Sequence, residues 1–311
     1  MKNRKRWITI VALVVLLAAL GVIGYHFYNK YKTEQQYEDL RQKKIAAELT
    51  EAARAKTPTP KPTKAPTNTP APSPTGEPEG TVTPTEEPKE TPTPTVSPTP
   101  TTAVMLATFE ELYEINHDFA GWITIADTPI DYPVMHVPGE TAENGKDFYY
   151  LYRDFYGNPN TGDHKPGSIF VEGRCSLTPE RSDNVMIYGH NMNAGTMFAG
   201  LHKFRDESFY KTHKTFEFDT LYSKDTYEII CVFIMQIGDQ YKNNFKFYNY
   251  VDFPNKATFN YFIENIKALQ LYDTGVEPEY GDELTTLITC TERAIPNGRL
   301  VVVGRKIKNN E

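Results

Sequence analysis

The sequence predicts a mainly β domain, a small closed or nearly closed barrel of short strands, standing outside a membrane on an N-terminal anchor. Three observations carry this. After residue 103 the chain breaks into short β-branched and aromatic runs separated by turn residues, with few helical stretches. Before it lies a tract of Thr-Pro steps with almost nothing to bury. At the start, a long apolar run follows a cluster of basic residues.

Residues 1–6 carry Lys2, Arg4, Lys5 and Arg6 and no acid, and are predicted to be cytoplasmic. From Trp7 to Ile23 the run is apolar except for Thr9, and Tyr25, Phe27 and Tyr28 close it. About 20 helical residues span a bilayer and aromatic rings favour its interface, so 7–28 reads as a single transmembrane anchor. A cleaved signal peptide would have an apolar core of roughly 7–15 residues and a small-residue cleavage site. This run is longer and shows no clear A-x-A site.

Residues 29–56 follow, and from Thr33 they are rich in Glu, Gln, Lys, Ala and Leu, without Gly or Pro. They predict a stalk helix, solvated all round, because Tyr37, Leu40, Ile45 and Leu49 are too sparse for a coiled coil. Residues 57–102 are predicted to form an extended polyproline-like linker. At about 3.1 Å per residue such a linker reaches on the order of 140 Å, enough to work away from the lipid surface. A glycosylated spacer is compatible with the same composition.

The domain proper is 103–311. Phe109, Leu112, Tyr113 and Ile115 give a short amphipathic helix that ends near His117-Asp118. Strands are predicted at 121–125, 130–135, 167–171, 184–188 and 227–237, and an aromatic stretch runs from Phe148 to Phe155. A helix with Phe259, Phe262, Ile263 and Ile266 on one face is predicted over 255–269, ahead of the last two strands.

Composition excludes several function classes. The formal net charge of −7 and pI near 5.6 argue against a nucleic-acid partner, which needs a basic face. Three cysteines do not make a disulfide framework. Cys231 lies in a continuous apolar run and reads as inert core, whereas Cys175 follows Gly173-Arg174 in a loop with no evident partner. No H-x-x-x-H or paired C-x-x-C stands out and the acids form no coordinating loop, so no metal or other cofactor is expected.

The candidate chemistry lies at the last two strands. Thr285 to Thr291 and Arg299 to Val303 are β-branched runs joined by the turn former Ile295-Pro296-Asn297-Gly298. Cys290 ends the first and Arg299 opens the second, so a thiol and a permanent cation meet at one rim of a sheet. A neighbouring cation favours the nucleophilic thiolate and can hold an oxyanion. Arg293 is a rival cation in the loop, and a surface arginine without a role is the ordinary alternative for both. Seven histidines compete as base. His26 flanks the apolar run, while His117, His136, His164, His202 and His213 sit in polar or loop contexts where solvation is the ordinary outcome. His190 follows a strand and a glycine, which present its imidazole at a strand edge. Glu292 is too close in sequence to Cys290 to stand behind His190.

T-L-I-T-C at 286–290, Y-G-H-N-M at 188–192 and G-R-L-V-V-V at 298–303 together resemble the sortases, cysteine transpeptidases of Gram-positive cell surfaces. F-E-E-L, G-W-I-T-I, I-D-Y-P-V and G-S-I-F fall in that family's order, and the helix before the cysteine strand is similar to class B members. The resemblance implies a closed sortase-type barrel of about eight strands, with an N-terminal helix and a helix inserted before the cysteine strand, and a set of roles. Cys290 would form a thioester with the threonine of a C-terminal sorting motif, His190 would serve as general acid and base, and Arg299 would stabilise the oxyanion. Tyr188, Ile288 and Leu151 match positions that line the peptide groove. Implied partners are surface proteins with sorting signals and a cell-wall peptide amine, with the domain outside a single-pass cell-membrane anchor. A pilin lysine as acceptor is the alternative within the family. A Cys/His wall hydrolase fits less well, because its cysteine normally opens a helix and precedes its histidine. A non-catalytic wall-binding module would leave Cys290, His190 and Arg299 apart in space.

Overall fold

The computed structural model describes residues 2–56, 104–139, 148–159, 166–178, 180–241, 244–292 and 294–308, with the side chains at 2–5, 8–9, 26, 29–30, 55–56 and 239 excepted. The Pro/Thr tract, His164 and Arg293 therefore lie outside the described residues.

Eight strands close into one barrel: β1 (Phe119–Thr124), β2 (Asp131–His136), β3 (Ile169–Val171), β4 (Asn184–Tyr188), β5 (Thr215–Thr220), β6 (Thr226–Gln236), β7 (Leu284–Cys290) and β8 (Gly298–Lys306). Their order around the barrel is β1-β2-β3-β4-β7-β8-β6-β5. Closure leaves no unpaired edge. Two neighbours, β2 with β3 and β4 with β7, run parallel, and the other pairs are antiparallel. Strand β5 was not expected, although Thr-Phe-Glu-Phe-Asp-Thr alternates with period two and buries Phe216, Phe218 and Thr220.

Both faces of the central strands are covered. Leu287 and Ile288 on β7, and Val301 and Val302 on β8, are adjacent in sequence yet all buried. Outside the sheet, α4 (Lys256–Ala268) buries Phe259, Phe262, Ile263 and Ile266, its start capped by the Asn255 side chain. Cys231 donates to the carbonyl of Ile266 and is core, as its apolar run predicted. Two further short elements were not foreseen: a 3₁₀ segment from Phe198 to Arg205 and α3 (Glu207–Thr212).

The N-terminal helix corrects the reading of a solvated stalk. α1 runs unbroken from Lys2 to Lys56, and among the described residues no helix is long and apolar enough to cross a membrane. Its described apolar side chains between Ile10 and Ile23 are exposed. Further along, the helix docks on the barrel. Tyr37 and Leu40 are buried, and Tyr37 packs edge-on against Tyr132 of β2 at 5.1 Å. Arg41 pairs with Asp131, Lys43 with Glu111 on α2 (Glu110–Ile115), and Lys44 lies over the ring of Trp122. Sparse apolar positions that cannot make a coiled coil are enough for a stripe against a sheet.

Contacts near the end of α1 extend the docking. The helix that precedes the tract and the residues that follow it share one face: Thr108 donates to Glu51 at 2.7 Å, and Lys224 pairs with the same carboxylate at 3.5 Å. Residues on both sides of the tract therefore meet at Glu51 of α1.

Candidate active site

The site begins with strand register. β4 and β7 pair in parallel with Tyr188 opposite Ile288. Beyond that pair the two chains stay in step: the Gly189 amide donates to the Ile288 carbonyl at 3.1 Å, and the Thr289 hydroxyl donates to the Gly189 carbonyl at 2.8 Å. His190 and Cys290 are the next residues on each chain, which brings them level at the ends of neighbouring strands. Gly189 is required by close approach, since a Cβ there would strike Ile169 and Phe198. Thr289 is buried by this contact, which explains a polar residue at that point.

Across the other edge of β7, Cys290 is the Cα partner of Arg299 on β8. Directly opposed residues of an antiparallel pair project to the same face. The connecting loop is tight: Thr291 donates to the Gly298 carbonyl at 3.0 Å and Gly298 to the Ile295 carbonyl at 2.9 Å. The Arg299 guanidinium donates to the Gly298 carbonyl at 3.0 Å, and its charge acts on the phenol of Tyr188. The three predicted site residues thus converge at one rim.

Their environments differ. Cys290 is exposed and, among the described residues, its thiol has no hydrogen-bond partner. His190 is half-buried, with Nε2 2.8 Å from the Leu151 carbonyl and the Tyr152 ring 5.7 Å away. A carbonyl only accepts, so Nε2 carries the hydrogen and the neutral ring presents Nδ1 as its basic nitrogen. Burial lowers the His190 pKa and the Leu151 bond opposes that. Among the described residues a backbone carbonyl, rather than an acid, orients this ring. Glu292 instead bonds Arg205 at 2.9 Å.

A second cysteine and histidine lie away from this rim's exposed groups: His136 ends β2 and Cys175 is in the loop after β3. Cys175 and His136 are both buried. Burial pushes the Cys175 thiol up to about 12 and lowers His136 to about 4, each against its charged form. His136, expected to be solvated, is a strand residue of β2. His213 is half-buried against Asp127 and stacked on Phe209. His202 is tied to Cys290 itself, with Nε2 3.0 Å from that residue's carbonyl. Of the histidines expected to be solvated, His117 is exposed.

The three groove residues divide. Tyr188 is half-buried and stacks on Phe170 at 5.7 Å, and Leu151 is half-buried with its carbonyl on His190. Ile288 is buried in the barrel wall and offers a peptide no surface. An exposed thiol, an imidazole level with it and a facing guanidinium are the parts of nucleophilic acyl transfer. Among the described residues no group of His, Cys, Asp or Glu is placed to hold a metal ion.

A family model described as "Sortase domain" matches residues 123–307. Sortase B of Listeria monocytogenes is 34% identical over 201 residues, covering 63% of this chain and 73% of the relative. Sortase B of Staphylococcus aureus is 32% identical over 203 residues, covering 64% and 75%. The solved Staphylococcus aureus sortase B–substrate complex superposes with a TM-score of 0.55 at 29% identity, covering 66% of this chain and 87% of that one.

Proposed function

Because the chain belongs to the sortase family and is a cysteine transpeptidase of its class B, we propose that it cleaves a C-terminal sorting motif after threonine and transfers the acyl group to a cell-wall peptide amine. The Cys290 thiolate attacks the threonyl carbonyl carbon. Nδ1 of His190 takes the thiol proton and gives it to the departing amine as the thioester forms. The incoming amine then loses its proton to the same nitrogen and displaces Cys290. Arg299, on the face of Cys290, stabilises the oxyanion in both halves. The single observation supporting this assignment is the shared register that sets His190 and Arg299 on either side of Cys290.

The same proposal places the domain outside a membrane, anchored by residues 7–28. Support comes from the apolar sequence from Trp7 to Ile23, about 17 residues and so near the lower limit for a span, and from the exposed side chains along it. The basic residues before Trp7 favour a cytoplasmic N-terminus. Substrates would be surface proteins bearing sorting signals.

Mass spectrometry of the full chain with a panel of peptides containing N/S/L-P-x-T tests the reaction. A thioester adduct absent from Cys290→Ala, with cleavage after threonine, is the expected result. Cleavage that persists in Cys290→Ala would overturn the assignment. Adding a wall-peptide amine or a pilin lysine peptide as acceptor then reads which amine resolves the thioester.

A further inference from the structure

The residues that orient His190 do not end at the barrel. The Leu151 carbonyl that holds Nε2 belongs to a 3₁₀ segment, Tyr149–Tyr152, followed by a turn around Asp154. This strap is held from below by the residues at 167 and 168. Ser168 donates from its amide to the Tyr150 carbonyl at 3.0 Å and from its hydroxyl to the Arg153 carbonyl at 2.9 Å. Gly167, at φ +54, lies so close to Leu151 that a Cβ would strike the same carbonyl that His190 bonds.

Helix α1 grips both parts. The Tyr37 hydroxyl donates to the Gly167 carbonyl at 2.9 Å in a buried contact, and Gln36 donates to Asp154 at 3.2 Å. Asp154 in turn accepts from the amides of Tyr156 and Asn158, closing the turn after the strap. Burial pushes the Tyr37 phenol up, so it stays a donor at every pH of interest.

We propose that Tyr37 is a positioning residue for transpeptidation: its hydroxyl seats the Gly167–Leu151 contact that aims the imidazole of His190. The proposal rests on reading His190 as the general acid and base. It makes the helix outside the barrel a working part of the site. A mobile strap would let the ring turn away from Cys290 without unfolding anything.

The test uses the full chain in detergent, with Tyr37→Phe, Gln36→Ala and His190→Ala compared in peptide cleavage. Phe keeps the ring against Tyr132 and removes one buried hydrogen bond. A loss of about 1 kcal/mol in orientation converts to roughly fivefold in kcat, with KM unchanged. Among the described residues, Tyr152 on the strap faces the His190 ring, and Cys290 on β7 with Arg299 opposite it on β8 share its rim of the barrel. Loosening the strap admits water to the ring and relieves the burial that lowers its pKa, so the acid limb of kcat/KM moves to higher pH. Gln36→Ala should move the same limb by a smaller amount. A drop in melting temperature with kcat and the acid limb unchanged would make the contact merely structural and overturn the proposal. If His190→Ala retains activity, the underlying acid–base reading fails instead.

Discussion

His202 donates from Nε2 to the backbone carbonyl of Cys290, 3.0 Å away, so a side chain from the Phe198–Arg205 segment anchors the residue that carries the thiol. The carbonyl only accepts, which assigns the hydrogen to Nε2. Arg205, from the same segment, bonds Glu292 two residues further on. The end of β7 is therefore held by β4 and β8 at its two edges and by this segment as well.

Removing that donor should loosen the strand end that presents the Cys290 thiol. His202→Ala is expected to lower kcat/KM by about fivefold, the equivalent of one ordinary hydrogen bond of ~1 kcal/mol. His202→Gln keeps a donor and should recover most of the loss. Equal activity of the alanine variant and the wild-type chain in steady-state cleavage would show that β7 holds itself.

Arg299 makes a sharper case. It stands opposite Cys290 in the register, and its charge acts on the phenol of Tyr188. Losing one oxyanion donor typically costs 10²–10³ in kcat. Arg299→Ala should fall in that range. Arg299→Lys keeps the charge but not the planar fork of donors, and should recover little. Near-complete rescue by lysine would mean that charge alone is needed. Single-turnover thioester formation separates this from effects on the acceptor step.

The relation of Cys290 to Arg299 was legible because a short loop joins two β-branched runs, leaving one possible pairing. His190 was legible only as a strand-end histidine. Nothing local shows that β4 and β7 are parallel neighbours, since this pairing joins segments about 100 residues apart and no turn specifies it. Ile288 matched a groove position by resemblance, yet a strand covered on both faces buries residues of either parity. The docked face of α1 was hidden for a different reason. Tyr37, Leu40 and Lys44 recur at i, i+3 and i+7, a stripe too narrow to read without the sheet it covers. His202 had a usable signal, because Phe198, Leu201 and Phe204 are buried at a spacing of three, the period of the 3₁₀ segment that carries it.

The docked helix predicts how the protein responds to cleavage in the Pro/Thr tract. A tether releases its cargo when cut, whereas an excursion between two docked segments does not. With a protease site placed within 57–102 of the full chain in lipid vesicles, the barrel should sediment with the vesicles after complete cleavage. Tyr37→Ala combined with Leu40→Ala should release it, since a buried Leu→Ala alone removes about 2–5 kcal/mol of packing. Release of the wild-type barrel would show that the tract is the link that matters.

His136 predicts acid sensitivity of the fold. Its Nε2 is buried without a hydrogen-bond partner, and burial lowers its pKa from 6.5 to about 4. Between those values the unfolded chain binds a proton that the folded chain refuses. The contribution is therefore fully present above the unfolded pKa and is lost as pH falls towards the folded one. At about 1.36 kcal/mol per pKa unit, roughly 3 kcal/mol of stability is at stake across that window. His190, also lowered by burial, adds to the loss in the same direction. Urea unfolding of the full chain between about pH 7 and pH 4.5 measures the slope. His136→Leu, which keeps an apolar group at a buried strand position, should flatten it by close to one proton. An unchanged slope in that variant would mean that His136 is protonated in the folded state and that the acid limb belongs to the carboxylates.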